Sequence, residues 1–126
     1  MLKGLPILVA EDELLIALDL VQAIEEAEGR VVGPVTTVSE AMALLSSEAV
    51  EGAIIDANLA DRDATPLALA LMDRSVPFVI FTGWEAPPQL ATLRDDLLIV
   101  MKPARSTRVL ATLLQSVSPD RTRFES

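Results

Sequence analysis

The chain has 126 residues, and half of them (51%) are apolar, which fits one compact domain with a sizeable core. The net charge of −9 repels phosphate backbones and anionic lipids, so direct binding to nucleic acid or to membranes is disfavoured. The absence of cysteine and histidine excludes disulfides, thiol chemistry and the usual zinc ligands. Since we find no signal-peptide pattern and no apolar run near the about 20 residues that cross a bilayer, we expect a cytoplasmic protein.

The first two elements are predicted from one short apolar run and one longer periodic stretch. The run from Pro6 to Ala10 is too short for a helix and lacks polar alternation, which is typical of a strand buried on both faces. A helix is predicted from Leu14 to Glu28, with Gly29 as its left-handed stop. The inner face of this helix is predicted to consist of Leu14, Leu18, Val21 and Ile24.

The middle of the chain continues the alternation. Residues 31–35 form a second short apolar run, which Gly33-Pro34 interrupts. Thr37 and Glu40 have the spacing of a capping box and open a helix that runs to about Ser47. A third strand is predicted over residues 53–56, and it ends in Asp56.

In the second half, Thr65-Pro66 is typical of an N-cap followed by proline at the first helical position, and the predicted helix runs to about Arg74. Strands are predicted over residues 78–82 and 98–101, and a closing helix over residues 106–117. Between Gly83 and Asp96, the pair Pro87-Pro88 permits only a short or irregular fourth helix.

Alternating strands and helices predict an α/β fold. We expect a doubly wound sheet of five parallel strands in the order 2-1-3-4-5, with helices on both faces. One domain is predicted over residues 1–118, followed by a polar and frayed C-terminal tail over residues 119–126.

Five polar residues stand at the carboxyl ends of the predicted strands. Glu11 and Asp12 follow the first strand, Asp56 ends the third, Thr82 ends the fourth and Lys102 follows the fifth. Taken singly, each has an ordinary structural explanation, such as a helix-terminal charge, a turn residue or a solvated lysine. In a doubly wound sheet, however, this edge holds the ligand crevice, so we expect the five side chains to converge there.

These residue types predict a particular chemistry. Carboxylates crowded into one site repel one another unless a cation joins them, and hard oxygen ligands suit Mg²⁺. A carboxylate such as Asp56 can act as a nucleophile toward phosphorus. The Lys102 ammonium and the Thr82 hydroxyl would then stabilise charge on the transferring phosphoryl oxygens.

Over about residues 5–117, the sequence resembles the CheY-like receiver domain of two-component response regulators. The resemblance rests on the acidic pair in VAEDE, the acceptor in AIIDANL, the hydroxyl residue in FTG and the lysine in VMKP. It implies that Glu11 and Asp12 bind the metal together with Asp56, the phosphorylation site. It also implies that the backbone carbonyl of Asn58 is a metal ligand, with Thr82 as the switch hydroxyl and Lys102 as the phosphate-contacting lysine.

The sequence departs from the family pattern at Ile99, where receivers usually carry Tyr or Phe three residues before the lysine. The usual coupling of an aromatic ring to the threonine is therefore in doubt. Thr82-Gly83-Trp84 is similar to part of the Phe-Ala-Thr-Gly-x-Tyr motif of the FAT GUY subgroup of receivers. Our hypothesis is that residues 83–96, including Trp84, form the mobile output surface. The alternative is that Trp84 simply covers the core.

The resemblance implies a single-domain receiver that is phosphorylated on Asp56 by a histidine kinase or a histidine phosphotransfer protein, with Mg²⁺ as cofactor. Such a chain catalyses its own phosphorylation and dephosphorylation and is not a turnover enzyme. It would signal by protein–protein interaction or act as a phosphate relay or sink, and the resemblance leaves a homodimer open. Two alternatives are a receiver-like interaction module that is never phosphorylated and an aspartyl-phosphate phosphatase. The phosphatase is disfavoured because Asn58 stands where a second acid is expected.

Overall fold

The computed structural model describes residues 2–84, 86–94 and 96–116. Five strands form one parallel sheet in the order β2-β1-β3-β4-β5, which confirms the predicted fold class and strand order. The strands are β1 (Pro6–Ala10), β2 (Arg30–Val35), β3 (Gly52–Ile55), β4 (Phe78–Thr82) and β5 (Leu98–Met101).

Helices connect the strands. They are α1 (Leu14–Glu26), α2 (Val38–Ser47), α3 (Thr65–Asp73), α4 (Pro88–Ala91) and α5 (Ser106–Gln115). The fourth helix is a single turn that begins at a proline, as the sequence predicted. The predicted end of the last helix at Val117 and the proposed tail over residues 119–126 lie outside the described residues. Among the described residues, no helix has the length and apolar character to span a bilayer.

The sheet separates two apolar layers. On β1, Ile7 and Val9 pack into the layer that contains residues of α1 and α5, whereas Leu8 and Ala10 pack into the layer with α2 and α3. All residues of β1, β3 and β4 are buried. Burial on both faces explains why these strands are continuous apolar runs without polar alternation.

The predicted inner face of α1 is wrong for Leu14 and Leu18, whereas Ile24 is buried as predicted. Leu14 and Leu18 are 69% and 51% exposed. The buried residues of the helix are Ala17, Leu20, Ala23 and Ile24. Because α1 carries apolar residues on nearly all sides, its hydrophobic pattern does not set which side faces the sheet, and Leu20 and Ile24 are the helix residues that pack into the apolar layer.

The end of α1 also differs from the prediction. Glu28, not Gly29, has the left-handed conformation, with φ of 68°. A Cβ at Gly29 would lie 2.7 Å from a side-chain atom of Leu2 and 2.8 Å from one of Ile24. The glycine is therefore needed here for close packing, since the left-handed turn falls one residue earlier.

The two predicted helix caps have different outcomes. Thr37 caps α2, because its hydroxyl accepts a hydrogen bond from the Glu40 amide at 3.0 Å, while the Glu40 carboxylate accepts one from the Thr36 amide at 3.3 Å. At α3 the prediction is wrong by one residue, since Thr65 is already helical. The Thr65 amide donates to the carboxylate of Asp63 at 2.9 Å, so Asp63 satisfies this free donor at the helix start.

Candidate functional site

The strand order brings the predicted site residues to one edge of the sheet. Ala10 on β1 lies beside Ile55 on β3, and each strand is followed directly by an acid, Glu11 and Asp56. On the other side of β3, Thr82 pairs with the last residue of β5, and Lys102 follows it. All five residues predicted from the strand ends therefore lie around one site.

Three acids form a cluster that could hold a metal ion. Glu11, Asp12 and Asp56 each offer one carboxylate oxygen, and these oxygens lie within 4.8 Å of one another. Glu11 and Asp56 are buried, whereas Asp12 is exposed. A set of carboxylate oxygens with one open side fits Mg²⁺, which prefers oxygen ligands and retains several waters.

Asn58 lies beside the acid cluster. Its backbone N–H donates to Oδ1 of Asp56 at 3.3 Å. Asn58 also lines the cleft that opens over the acid cluster. The role of its backbone carbonyl as a metal ligand stays a prediction.

The ammonium group of Lys102 lies among carboxylates. Its Nζ is 2.9 Å from Oε1 of Glu11, 3.0 Å from Oδ2 of Asp56 and 3.1 Å from Oε2 of Glu13. The Lys102 side chain is only 12% exposed. Sequence reasoning missed Glu13, which follows two proposed metal ligands and directly precedes α1. The charge run EDE was the available signal.

Burial changes the ionisation of two of these groups. Desolvation raises the pKa of the Glu11 carboxyl from 4.5 to about 7, although the hydrogen bonds from Lys102 and from the Glu13 amide oppose the rise. Burial by itself would lower the pKa of Lys102, but its hydrogen bonds to Glu11, Asp56 and Glu13 outweigh that effect, so the pKa rises. The site therefore stabilises a cation strongly and holds one acid that is reluctant to ionise.

Thr82 is buried beside the site, and its hydroxyl has a partner of its own. Oγ1 accepts a hydrogen bond from the backbone N–H of Trp84 at 3.4 Å. The Trp84 side chain is 78% exposed, so the alternative in which it covers the core is wrong. Ile99, the departure from the receiver pattern noted in the sequence, is 40% exposed on β5.

A cleft of about 710 Å³ opens over the acid cluster. Asp56 and Lys102 line it, and Leu15, Trp84 and Pro103 add apolar surface. The Asp56 carboxylate is therefore reached from solvent through this cleft.

Crowding of the acids predicts that Asp56→Asn stabilises the protein when Mg²⁺ is absent. Glu11, Asp56 and Glu13 share one ammonium group and Asp12 lies in the same cluster, so removing one charge reduces the repulsion among the acids. We expect a melting temperature about 3 to 5 °C higher, measured by thermal denaturation in EDTA. Glu25→Gln, which removes an exposed charge from α1, serves as the charge-matched control. A lower melting temperature for Asp56→Asn would show that Lys102 depends on Asp56 more than the acids repel one another.

No family model matches the chain, and no curated protein sequence matches it. Several solved structures are similar to the chain. The chain is 36% identical to SdrG from Sphingomonas melonis Fr1, over 90% of this chain and 99% of that one, with a TM-score of 0.74. It is 27% identical to a response regulator receiver protein from Sinorhizobium medicae WSM419, over 92% and 96% of the two chains, with a TM-score of 0.76.

A longer protein also contains a similar domain. The response regulator PhyR from Brucella abortus is 27% identical over 97% of this chain, with a TM-score of 0.75. The match covers 51% of PhyR, so this chain corresponds to about half of that protein.

Proposed function

Because the chain belongs to the family of response regulator receiver domains, we propose that it accepts a phosphoryl group on Asp56 from a histidine kinase or a histidine phosphotransfer protein. The observation that supports this most directly is the position of Asp56. Its carboxylate is 3.0 Å from the Lys102 ammonium, within a cluster of oxygens that suits Mg²⁺ and at the base of an open cleft.

In the proposed reaction, a carboxylate oxygen of Asp56 forms a bond to phosphorus while the bond from phosphorus to the donor nitrogen breaks. The electron pair of the broken bond stays on the imidazole nitrogen of the donor. Lys102 is placed to stabilise negative charge on the phosphoryl oxygens, because its ammonium already contacts the acceptor carboxylate. Water later attacks phosphorus while the bond from phosphorus to the Asp56 oxygen breaks. Phosphate and a proton leave to solvent, and the electron pair of the broken bond restores the Asp56 carboxylate.

The proposed metal ligands are the carboxylates of Glu11, Asp12 and Asp56 and the backbone carbonyl of Asn58. Bound Mg²⁺ would neutralise charge on the transferring phosphoryl oxygens. The clustered oxygens of the three acids support this assignment, as does the buried Glu11, whose ionisation a divalent cation would favour.

The switch is proposed to run through Thr82 and Trp84. A phosphoryl group on Asp56 would compete with the Trp84 amide for the Thr82 hydroxyl, and loss of that 3.4 Å contact would free the chain after β4. This route needs no aromatic ring at Ile99. It is consistent with membership of the FAT GUY subgroup, which the Thr82-Gly83-Trp84 motif supports.

The output is proposed to be a protein–protein contact of the phosphorylated domain, or transfer of the phosphoryl group in a relay or to a sink. The exposed Trp84 and the one-turn α4 offer a surface for the first of these. We propose a cytoplasmic location and leave a homodimer open. The chain would catalyse its own phosphorylation and dephosphorylation without acting on a released substrate.

The test is incubation with phosphoramidate and Mg²⁺, followed by the mass of the intact protein. We expect a gain of one phosphoryl group that requires Mg²⁺ and is absent in Asp56→Asn. Asp73→Asn, an exposed acid on α3, serves as the matched control and should gain the group. No gain with any donor would favour the interaction module, and steady release of phosphate from small phosphomonoesters would favour the phosphatase.

A further inference from the structure

Glu13 is an acidic neighbour of Lys102 that the cluster of proposed metal ligands does not include. Its Oε2 lies 3.1 Å from Nζ of Lys102, although the two residues are 89 positions apart in the chain. The Glu13 side chain is 60% exposed and stands at the open side of the site. It therefore reaches the ammonium from the solvent side, whereas Glu11 and Asp56 reach it from the protein interior.

The ammonium group of Lys102 has as many carboxylate neighbours as it has N–H donors. A lysine side chain offers three donors, and Glu11, Asp56 and Glu13 each place one oxygen at hydrogen-bonding distance. The contacts to Asp56 and Glu13 are hydrogen bonds and Glu11 adds a close ion pair, so an arriving phosphoryl oxygen competes with these carboxylates for Lys102. The contact to the exposed Glu13 is the weakest of the three, because solvent screens it most.

We propose that Glu13 is a positioning residue that holds the third donor of Lys102 in the unphosphorylated protein and competes with the phosphoryl group for it. This inference rests on the proposed function, since it concerns the rate at which Asp56 is phosphorylated. In Glu13→Gln, Lys102 remains anchored by Glu11 and Asp56, but its outer donor is free for the incoming oxygen. Phosphoryl acceptance is therefore faster in this variant.

Asp19 supplies a matched control for the loss of negative charge. It lines the same cleft as Glu13, but its carboxylate accepts a hydrogen bond from the Ser106 hydroxyl at 2.8 Å. Asp19→Asn removes one charge from the cleft and retains an oxygen that can accept that bond. It separates a general reduction in repulsion of an anionic donor from a specific effect on Lys102.

The rate of phosphoryl gain from phosphoramidate is measured by intact mass at an Mg²⁺ concentration that saturates each variant. We expect Glu13→Gln to react about two- to fivefold faster than wild type, as the loss of a partly exposed ion pair implies. Asp19→Asn should react at the wild-type rate.

A second measurement reports the contact itself. The chain has two lysines, Lys3 and Lys102, so the ¹⁵N spectrum of the lysine ammonium groups is simple to assign and Lys3 is an internal reference. We expect Glu13→Gln to shift the Lys102 signal and speed the exchange of its protons, and Asp19→Asn to leave both unchanged.

The outcomes separate this inference from the proposed function. If wild type gains no phosphoryl group, the proposed function is wrong and this inference falls with it. If wild type is phosphorylated but Glu13→Gln reacts at the same rate or more slowly, or Asp19→Asn accelerates equally, this inference alone is overturned. An unmoved Lys102 signal in Glu13→Gln would likewise overturn it.

Discussion

Replacing Lys102 by methionine is expected to lower the unfolding free energy of the metal-free protein by about 3 kcal/mol at pH 8. The lysine is the cation that Glu11, Asp56 and Glu13 share, and its removal leaves a buried carboxylate at Glu11 without a partner. Methionine keeps an apolar stem of similar length, so the loss reports the charge and not the packing. Phosphoryl acceptance on Asp56 should also fall strongly.

The measurement is urea denaturation of wild type and variant at pH 8 and pH 5. We expect a smaller loss at pH 5, because that pH is well below the pKa of about 7 for Glu11, which is then protonated and needs no cation. Lys3→Met, at the exposed second lysine, is the control and should leave stability unchanged. An equal loss at both pH values would mean that Lys102 acts through packing.

Glu11→Gln is expected to raise the unfolding free energy at pH 8 by about 2 to 3 kcal/mol when Mg²⁺ is absent. Glu11 is 1% exposed, and its burial outweighs the favourable contact with Lys102, so the ionised carboxyl destabilises the fold. Glutamine keeps the shape and an oxygen that can accept the Glu13 amide, which donates to Glu11 at 3.1 Å.

The dependence on pH follows from the direction of the pKa shift. The folded protein holds the Glu11 proton up to about pH 7, whereas the unfolded chain releases it near pH 4.5. Protonation of Glu11 should therefore contribute its full stabilisation to wild type below pH 4.5. This contribution should be lost as the pH rises to about 7. Glu11→Gln should lack this loss, so the difference between the two stability curves should narrow from pH 8 toward pH 5 and vanish below pH 4.5.

Chemical denaturation from pH 5 to pH 8 in EDTA measures this effect, with Glu25→Gln as the exposed control. Added Mg²⁺ should reverse the order, because wild type gains the stability of the bound ion while the variant has lost a ligand. A variant that is less stable than wild type at pH 8 without Mg²⁺ would show that the contact with Lys102 outweighs the burial of Glu11.

Local patterns in the sequence were sufficient for the strands and for the proposed site. Strands buried on both faces are continuous apolar runs, so a polar residue directly after such a run marks the sheet edge. Asp56, Thr82 and Lys102 were found in this way, and the structure places them at one edge. The one-turn α4 was predictable for the same local reason, since the proline pair restricts the backbone there.

Tertiary structure decided the features that depend on neighbours distant in sequence. The apolar residues of α1 lie on nearly all of its sides, so packing between elements selected Leu20 for the core and left Leu14 and Leu18 exposed. The position of Glu13 beside Lys102 required the start of α1 and the end of β5 to meet. Amino-acid sequence alone thus determined where each strand begins and ends to within one residue, because those preferences are local. The third strand, β3, ends at Ile55, one residue before its predicted end at Asp56. Helix orientation and the third partner of the lysine depend on packing between elements, which no local pattern encodes.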